Sequence, residues 1–147
     1  MTPWIYQNKP VEIPPDGMVG FIYNITCKLT GKQYIGKKFC FSRRRHKVAG
    51  RKNKKIIIKD SGWQEYWSSS DFLLEDIAKL GKENFTREIL EFYPTKKEVS
   101  FAELEEQIKR DVLRAKLPDG SKAYYNRSIL GKYFCPPENI LDNPAKT

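Results

Sequence analysis

A small mixed α/β (α+β) domain, with a three-stranded antiparallel sheet flanked by helices, is the fold class this chain predicts, and three observations predict it. GFIYNITCKLTGKQYIGKK, from Gly20 to Lys38, sets Phe21, Tyr23 and Ile25 on one face of a strand and Ile22 and Asn24 on the other. It then turns at KLTGK and resumes as QYIG, which is a β-hairpin pattern. NFTREILEFY has strand composition and is stopped by Pro94. Before and after that strand lie two segments with apolar residues at helical spacing, and an amphipathic helix has to cover a sheet face or another helix.

Each element has a local reason. Pro3, Pro10, Pro14 and Pro15 remove backbone donors, so residues 1–18 read as a Pro-rich N-terminal arm that docks at most through Trp4, Ile5 and Tyr6. The domain itself is expected over residues 19–130, with residues 131–147 as a poorly ordered tail. After the hairpin, KFCFSRRRHKVAGRKNKK predicts a short basic helix running into a flexible loop within residues 37–59. SSSDFLLEDIAKLG puts Ser and Asp ahead of Leu73, Leu74, Ile77 and Leu80, with Gly81 placed to end the helix. EVSFAELEEQIKRDVLRAK predicts a second helix that lays Phe101, Leu104, Ile108, Val112 and Ala115 on the sheet. DGSKAYYN is a turn.

Composition narrows the function. The 147 residues suit one domain, and 39% hydrophobic with 13% aromatic residues argues for a packed interior. No stretch approaches a membrane span and no basic flank opens into an apolar run, so a soluble, cytoplasmic protein is expected. Cys27, Cys40 and Cys135 are odd in number and widely spaced, which points to inert thiols rather than a disulfide framework or a zinc site.

Charge is the strongest compositional signal. Lys and Arg number 27 against 18 Asp and Glu, a formal charge of +9 that favours a polyanionic partner. Eleven of these cations fall between Lys37 and Lys59, with no carboxylate among them. The candidate DNA contacts are Lys37, Lys38, Arg43, Arg45, Lys47, Arg51, Lys52, Lys54 and Lys55, whose binding to phosphates would weaken steeply with salt. Trp63, Tyr66 and Trp67 are suited either to stacking on bases or to the core.

FIY with Tyr23, YIG with Tyr34 and Gly36, the arginine cluster SRRRH, FAELEEQIKRDVL and YYN follow one another in an order that resembles the GIY-YIG nuclease family. The segment WQEYWSSSDFLLEDIAKLGKENFTREIL is similar to phage-encoded members, and the resemblance extends from Gly20 to about Asn126. It implies a small GIY-YIG-like domain and a set of catalytic residues: Tyr23, Tyr34, Arg44 eight residues past the motif glycine, Glu103 and Asn126. Arg43 and Arg45 remain alternatives to Arg44, and Glu105 and Glu106 compete with Glu103 on the same helix. His46, the one histidine, is a further candidate for proton transfer, two residues past Arg44 where many members carry a His or Tyr four residues on.

These residue types suit phosphodiester hydrolysis, which needs a water nucleophile, charge neutralisation and help for the departing oxygen. Glu103 would hold one divalent cation, Mg²⁺ or another such as Mn²⁺. Arg44 would grip the scissile phosphate through its planar fork. Tyr23 would orient or deprotonate water, Tyr34 would position phosphate or water, and Asn126 would brace the site. The expected activity is that of a metal-dependent endonuclease on double-stranded DNA, a free-standing homing or other phage-encoded enzyme working in a bacterial host. A homodimer on DNA, or two successive nicks, would be needed for double-strand cleavage. A catalytically silent nucleic-acid-binding module, and a repair or host-DNA-degrading nuclease, are the alternative readings.

Overall fold

The structure is a computed structural model that describes residues 2–46, 49–50 and 55–136. In chain order its elements are β1 (Trp4–Tyr6), β2 (Lys9–Val11), β3 (Gly20–Cys27), β4 (Gln33–Phe39), β5 (Phe41–His46), β6 (Lys55–Asp60), α1 (Asp71–Leu80), β7 (Phe85–Tyr93), α2 (Lys96–Lys109), β8 (Ser128–Ile129) and β9 (Tyr133–Phe134). Strand β3 organises them, because it is buried on both faces. One face meets Trp4, Trp63, Leu73, Ile77, Phe85 and Ile89 through Phe21, Tyr23 and Ile25. A second cluster gathers Ile35 of β4 with Val112, Ala123, Tyr124 and Ile129.

The expected hairpin is present, with Tyr23 opposite Gly36 and Ile25 opposite Tyr34. The sheet has five strands rather than three, in the order β2-β1-β7-β3-β4, and β1 joins β7 in parallel. Counting prolines as breakers hid the two extra strands. Pro10 lies on the outermost strand, where a missing N–H leaves no ladder bond unmade, and Pro3 precedes β1. Trp4 is buried, and its indole Nε1–H donates to the Trp63 carbonyl at 2.8 Å. Arg87 of β7 clamps the same region. Its guanidinium donates to the carbonyls of Thr2 (2.5 Å) and Tyr66 (2.6 Å) and lies between the Trp4 and Trp67 rings. Burial pulls its pKa down to about 10, so it remains a cation at neutral pH.

Helix α1 follows its caps: Ser70 Oγ accepts from the Leu73 N–H, and Gly81 at φ 95° ends it. Helix α2 departs from the expected stripe. Phe101 and Ile108 are 67% and 62% exposed, whereas Val99, Ala102 and Gln107 are buried. The helix stops at Lys109, Asp111 turns the chain with φ 54°, and Val112 enters the second cluster from that turn instead of from the helix.

The basic helix expected after the hairpin is absent among the described residues. Phe41–His46 is a strand, paired antiparallel with Lys55–Asp60 so that Arg43, Arg44 and Arg45 stand opposite Ile58, Ile57 and Ile56. The β-branched triplet Ile56-Ile57-Ile58 supplies the strand preference that charge counting overlooked. Trp63 and Trp67 are core residues, not exposed stacking platforms.

Candidate active site

Strand β4 is an edge of the main sheet, and the candidate site is built around that edge from both faces. Residues 123–126 cover its first half. The Gln33 N–H donates to the Ala123 carbonyl at 2.9 Å, and the Tyr125 N–H donates to the Gln33 carbonyl at 2.7 Å. Asn126 then takes over with its side chain: Oδ1 accepts from the Ile35 N–H at 3.1 Å and Nδ2 donates to the Ile35 carbonyl at 2.8 Å. A buried carboxamide thus stands in for a neighbouring strand, a task that needs one donor and one acceptor and no charge. Gln107 Nε2 donates to the same carbonyl at 3.2 Å, so α2 is tied to the edge as well.

Next to this brace opens a cleft of about 400 Å³, lined by Tyr34, Lys37, Glu103, Gln107 and Asn126 on the sheet and α2 side, and by Ser69, Phe72, Arg127 and Leu130 around the rim. Tyr34 enters from one face of β4 and Lys37 from the other, as strand alternation requires. Glu103 reaches the cleft from α2, with Lys37 Nζ 3.8 Å from its Oε1, and Lys37 Nζ also donates to Ser100 Oγ at 3.1 Å. Burial raises the Glu103 carboxyl above its ordinary value, and the Lys37 charge only partly offsets this. Its rivals are placed differently. Glu105 is exposed, and Glu106 Oε2 accepts from Arg110 Nε at 3.3 Å.

The two motif tyrosines lie on one face, with ring centroids 6.1 Å apart. Tyr23 is only 1% exposed and packs edge-on against Trp4 and Tyr66. Burial pushes its phenol well above the ordinary tyrosine range, and its hydroxyl is hydrogen-bonded with the side chains of Tyr66 and Ser68. Tyr34 is half-buried on the cleft wall, and burial raises its pKa while hydrogen bonds from Ser69 and Ser68 act against the rise. Gly36 is where these rings meet. A Cβ there would lie 2.5 Å from Tyr23 Oη and 2.9 Å from Tyr34 Cε2.

The structure therefore brings Tyr34, Lys37, Glu103 and Asn126 to one cleft, with Tyr23 directly behind Tyr34. Lys38 points its ammonium at the Tyr66 ring, 4.3 Å away. Arg43, Arg44, Arg45 and His46 lie on β5 and Lys55 on β6. Lys47, Arg51, Lys52 and Lys54 fall outside the described residues. Gln107, Ser68 and Ser69 went unnoticed as site residues. The run SSSD was read as a helix cap and as part of the family resemblance, although its first two serines serve the tyrosine hydroxyls.

Removing the brace should be measurable without any assay of activity. Asn126→Ala leaves the Ile35 N–H without its acceptor, and a stability loss of about 1–3 kcal/mol is expected in urea unfolding.

The carboxylates of Glu103 and Asp71, with the hydroxyls of Tyr34 and Ser69 on the same cleft, are an all-oxygen donor set that fits a hard divalent cation keeping most of its own waters. Among the described residues no group of three or more His, Cys, Asp or Glu could hold a metal by itself. Glu103 is thus the one anchor the cleft offers from α2.

A mixed α/β domain with two tyrosines across a hairpin, a helix-borne glutamate and an asparagine brace is the arrangement that the family resemblance implies. Comparison with protein families agrees with it: residues 4–129 match the model described as "Putative endonuclease segE, GIY-YIG domain". The chain belongs to the GIY-YIG endonuclease family. No curated protein and no solved structure matches it. No helix among the described residues is long and apolar enough to cross a membrane.

Proposed function

We propose that this protein is a metal-dependent endonuclease that hydrolyses phosphodiester bonds in double-stranded DNA, with the scissile phosphate seated in the cleft at the β4 edge. The observation that carries this reading is the convergence of Tyr34, Lys37, Glu103 and Asn126 on one cleft from three separate parts of the chain. The resemblance of the segment from Trp63 to Leu90 to phage-encoded members favours a free-standing homing or other phage-encoded role.

The residues divide the work by environment. Glu103 holds the divalent cation, which when bound polarises a phosphate oxygen and acidifies a water. Tyr34, held protonated at neutral pH by its raised pKa, donates its Oη proton in a hydrogen bond that positions water or phosphate. Tyr23 is too enclosed to meet water, and its raised pKa disfavours phenolate, so it acts by fixing the Tyr34 ring. This moves the water-handling role from the first tyrosine to the second. Lys37 supplies positive charge beside the carboxylate, and Arg44 grips the transferring phosphate from β5, which leaves the end of β4 after Cys40. The β5–β6 hairpin, with its run of cations, tracks the backbone on either side.

Incubation with supercoiled plasmid tests the reading. Nicked or linear product is expected with Mg²⁺ or Mn²⁺ and none with EDTA. Cleavage that persists in EDTA would remove the metal, and binding with no cleavage under any cation would favour a silent DNA-binding module.

A further inference from the structure

Resting on the nuclease reading, we propose that the β8–β9 hairpin is a DNA-distorting element, which presses Leu130 into a base step beside the phosphate held in the cleft. Residues 131–147 were expected to be a tail, yet Tyr133–Phe134 pairs with Ser128–Ile129 and closes a hairpin. Its turn has φ 60° at Leu130 and φ 62° at Gly131, and the Lys132 N–H donates to the Ile129 carbonyl at 3.1 Å. Two consecutive left-handed residues make a type I′ turn, whose first central position suits Asn, Asp or Gly.

Leucine is a poor choice there on two counts. Its Cβ is crowded in the left-handed region, and its side chain is 69% exposed to water. Both penalties fall on one side chain, and that side chain lines the cleft with Glu103. Strain of this kind, placed at a candidate site, points to a ligand contact. Leu130 is not alone. Tyr133 and Phe134 are 58% and 67% exposed, and Phe72, which also lines the cleft, is 49% exposed.

Charge identifies the occupant. The Arg127 guanidinium lies 4.5 Å from the centre of the Phe72 ring and Lys132 sits in the turn itself, so cations flank the apolar tip, while Asp71 and Glu103 line the cleft beside it. Apolar side chains flanked by Arg and Lys match a partner with apolar stacked faces and an anionic backbone. The cleft next to them already fits that backbone. Duplex DNA is the occupant, engaged by apolar wedging as minor-groove and architectural proteins do when they unstack a step. Steps that unstack at low cost, such as TA, should therefore be preferred near the cut.

Leu130→Asn is the discriminating variant, because asparagine suits the left-handed position and keeps the hairpin while removing its apolar tip. Two probes are needed: supercoiled plasmid with Mg²⁺ for cleavage, and a duplex carrying 2-aminopurine at TA steps, in EDTA, for unstacking. Wild-type protein should raise 2-aminopurine fluorescence on binding. Leu130→Asn should bind with the same salt dependence, fail to raise the fluorescence, and cut roughly tenfold or more slowly, since unstacking a step costs a few kcal/mol. Equal fluorescence and equal cleavage by the two proteins would overturn the wedge and leave the nuclease standing, whether residues 137–147 or a second copy covers the hairpin. Unstacking that depends on Leu130, in a protein that never cuts, would sink the nuclease and keep the wedge.

Discussion

A methyl group on Gly36 should cost the protein both stability and DNA cleavage. The position is not left-handed, so alanine is allowed by the backbone, and the effect isolates space alone. The added Cβ would fall 2.5 Å from Tyr23 Oη, 2.6 Å from its Cζ and 2.9 Å from Tyr34 Cε2. Tyr23 has nowhere to go, because Trp4, Phe21 and Tyr66 press on its ring. Overpacking of this sort costs about 1–3 kcal/mol, and moving a positioning group by an ångström costs on the order of 10²-fold in rate. Gly36→Ala should therefore melt lower, still bind DNA through the basic hairpin, and cut about a hundred times more slowly in single-turnover assays. Unchanged cleavage in a folded Gly36→Ala protein would mean that the tyrosine pair is packing only.

The second large effect is at Glu103, and it has opposite signs for activity and stability. Glu103→Gln keeps the shape and removes the charge, so the cation loses its anchor and Mg²⁺-dependent cleavage should fall by roughly 10³-fold. Thermal stability at neutral pH should rise. Burial lifts the folded-state pKa above the ordinary carboxyl value of 4.5, so the folded protein binds this proton more tightly than the unfolded chain does. The stability linked to that proton is fully present below pH 4.5 and is lost as pH climbs through the raised value. Glutamine avoids the loss, and its advantage should vanish in melts carried out below pH 4.5. Wild-type activity runs the other way. Glu103 must be ionised to hold a cation, so protons compete with Mg²⁺ for it, and more Mg²⁺ should be needed for cleavage as the pH falls.

The elements that were legible in the sequence carry their own punctuation. Ser70 and Gly81 bracket α1, KLTGK closes the first hairpin, and Pro94 ends β7, each through chemistry confined to a few neighbouring residues. What was missed depends on partners far along the chain. β1 is a strand because β7 accepts it across more than eighty residues, a contact that no local pattern encodes. β5 is a strand because Ile56–Ile58 pairs with it, and the charges of Arg43–Arg45 obscured that match.

The stripe of α2 misled for a related reason. Size and apolarity favoured Phe101 and Ile108, but the face turned to β4 is chosen by polar work, with Gln107 bonding the Ile35 carbonyl and Glu103 beside Lys37. Periodicity alone therefore could not separate Glu103 from Glu105 and Glu106, and only the family resemblance singled it out. Asn126 follows a tight turn, where an asparagine most often closes a loop. Its bond to a strand 91 residues earlier has no local signature at all.

The most direct test of a cleft that hydrolyses DNA at the β4 edge compares three glutamates within one turn of α2. Single-turnover cleavage of a labelled duplex with Mg²⁺ should be followed for Glu103→Gln, Glu105→Gln and Glu106→Gln, with DNA affinity measured alongside in EDTA. Loss of cleavage in Glu103→Gln alone, with affinity retained in all three, is the predicted result. Normal cleavage by Glu103→Gln, or equal losses in all three variants, would contradict it.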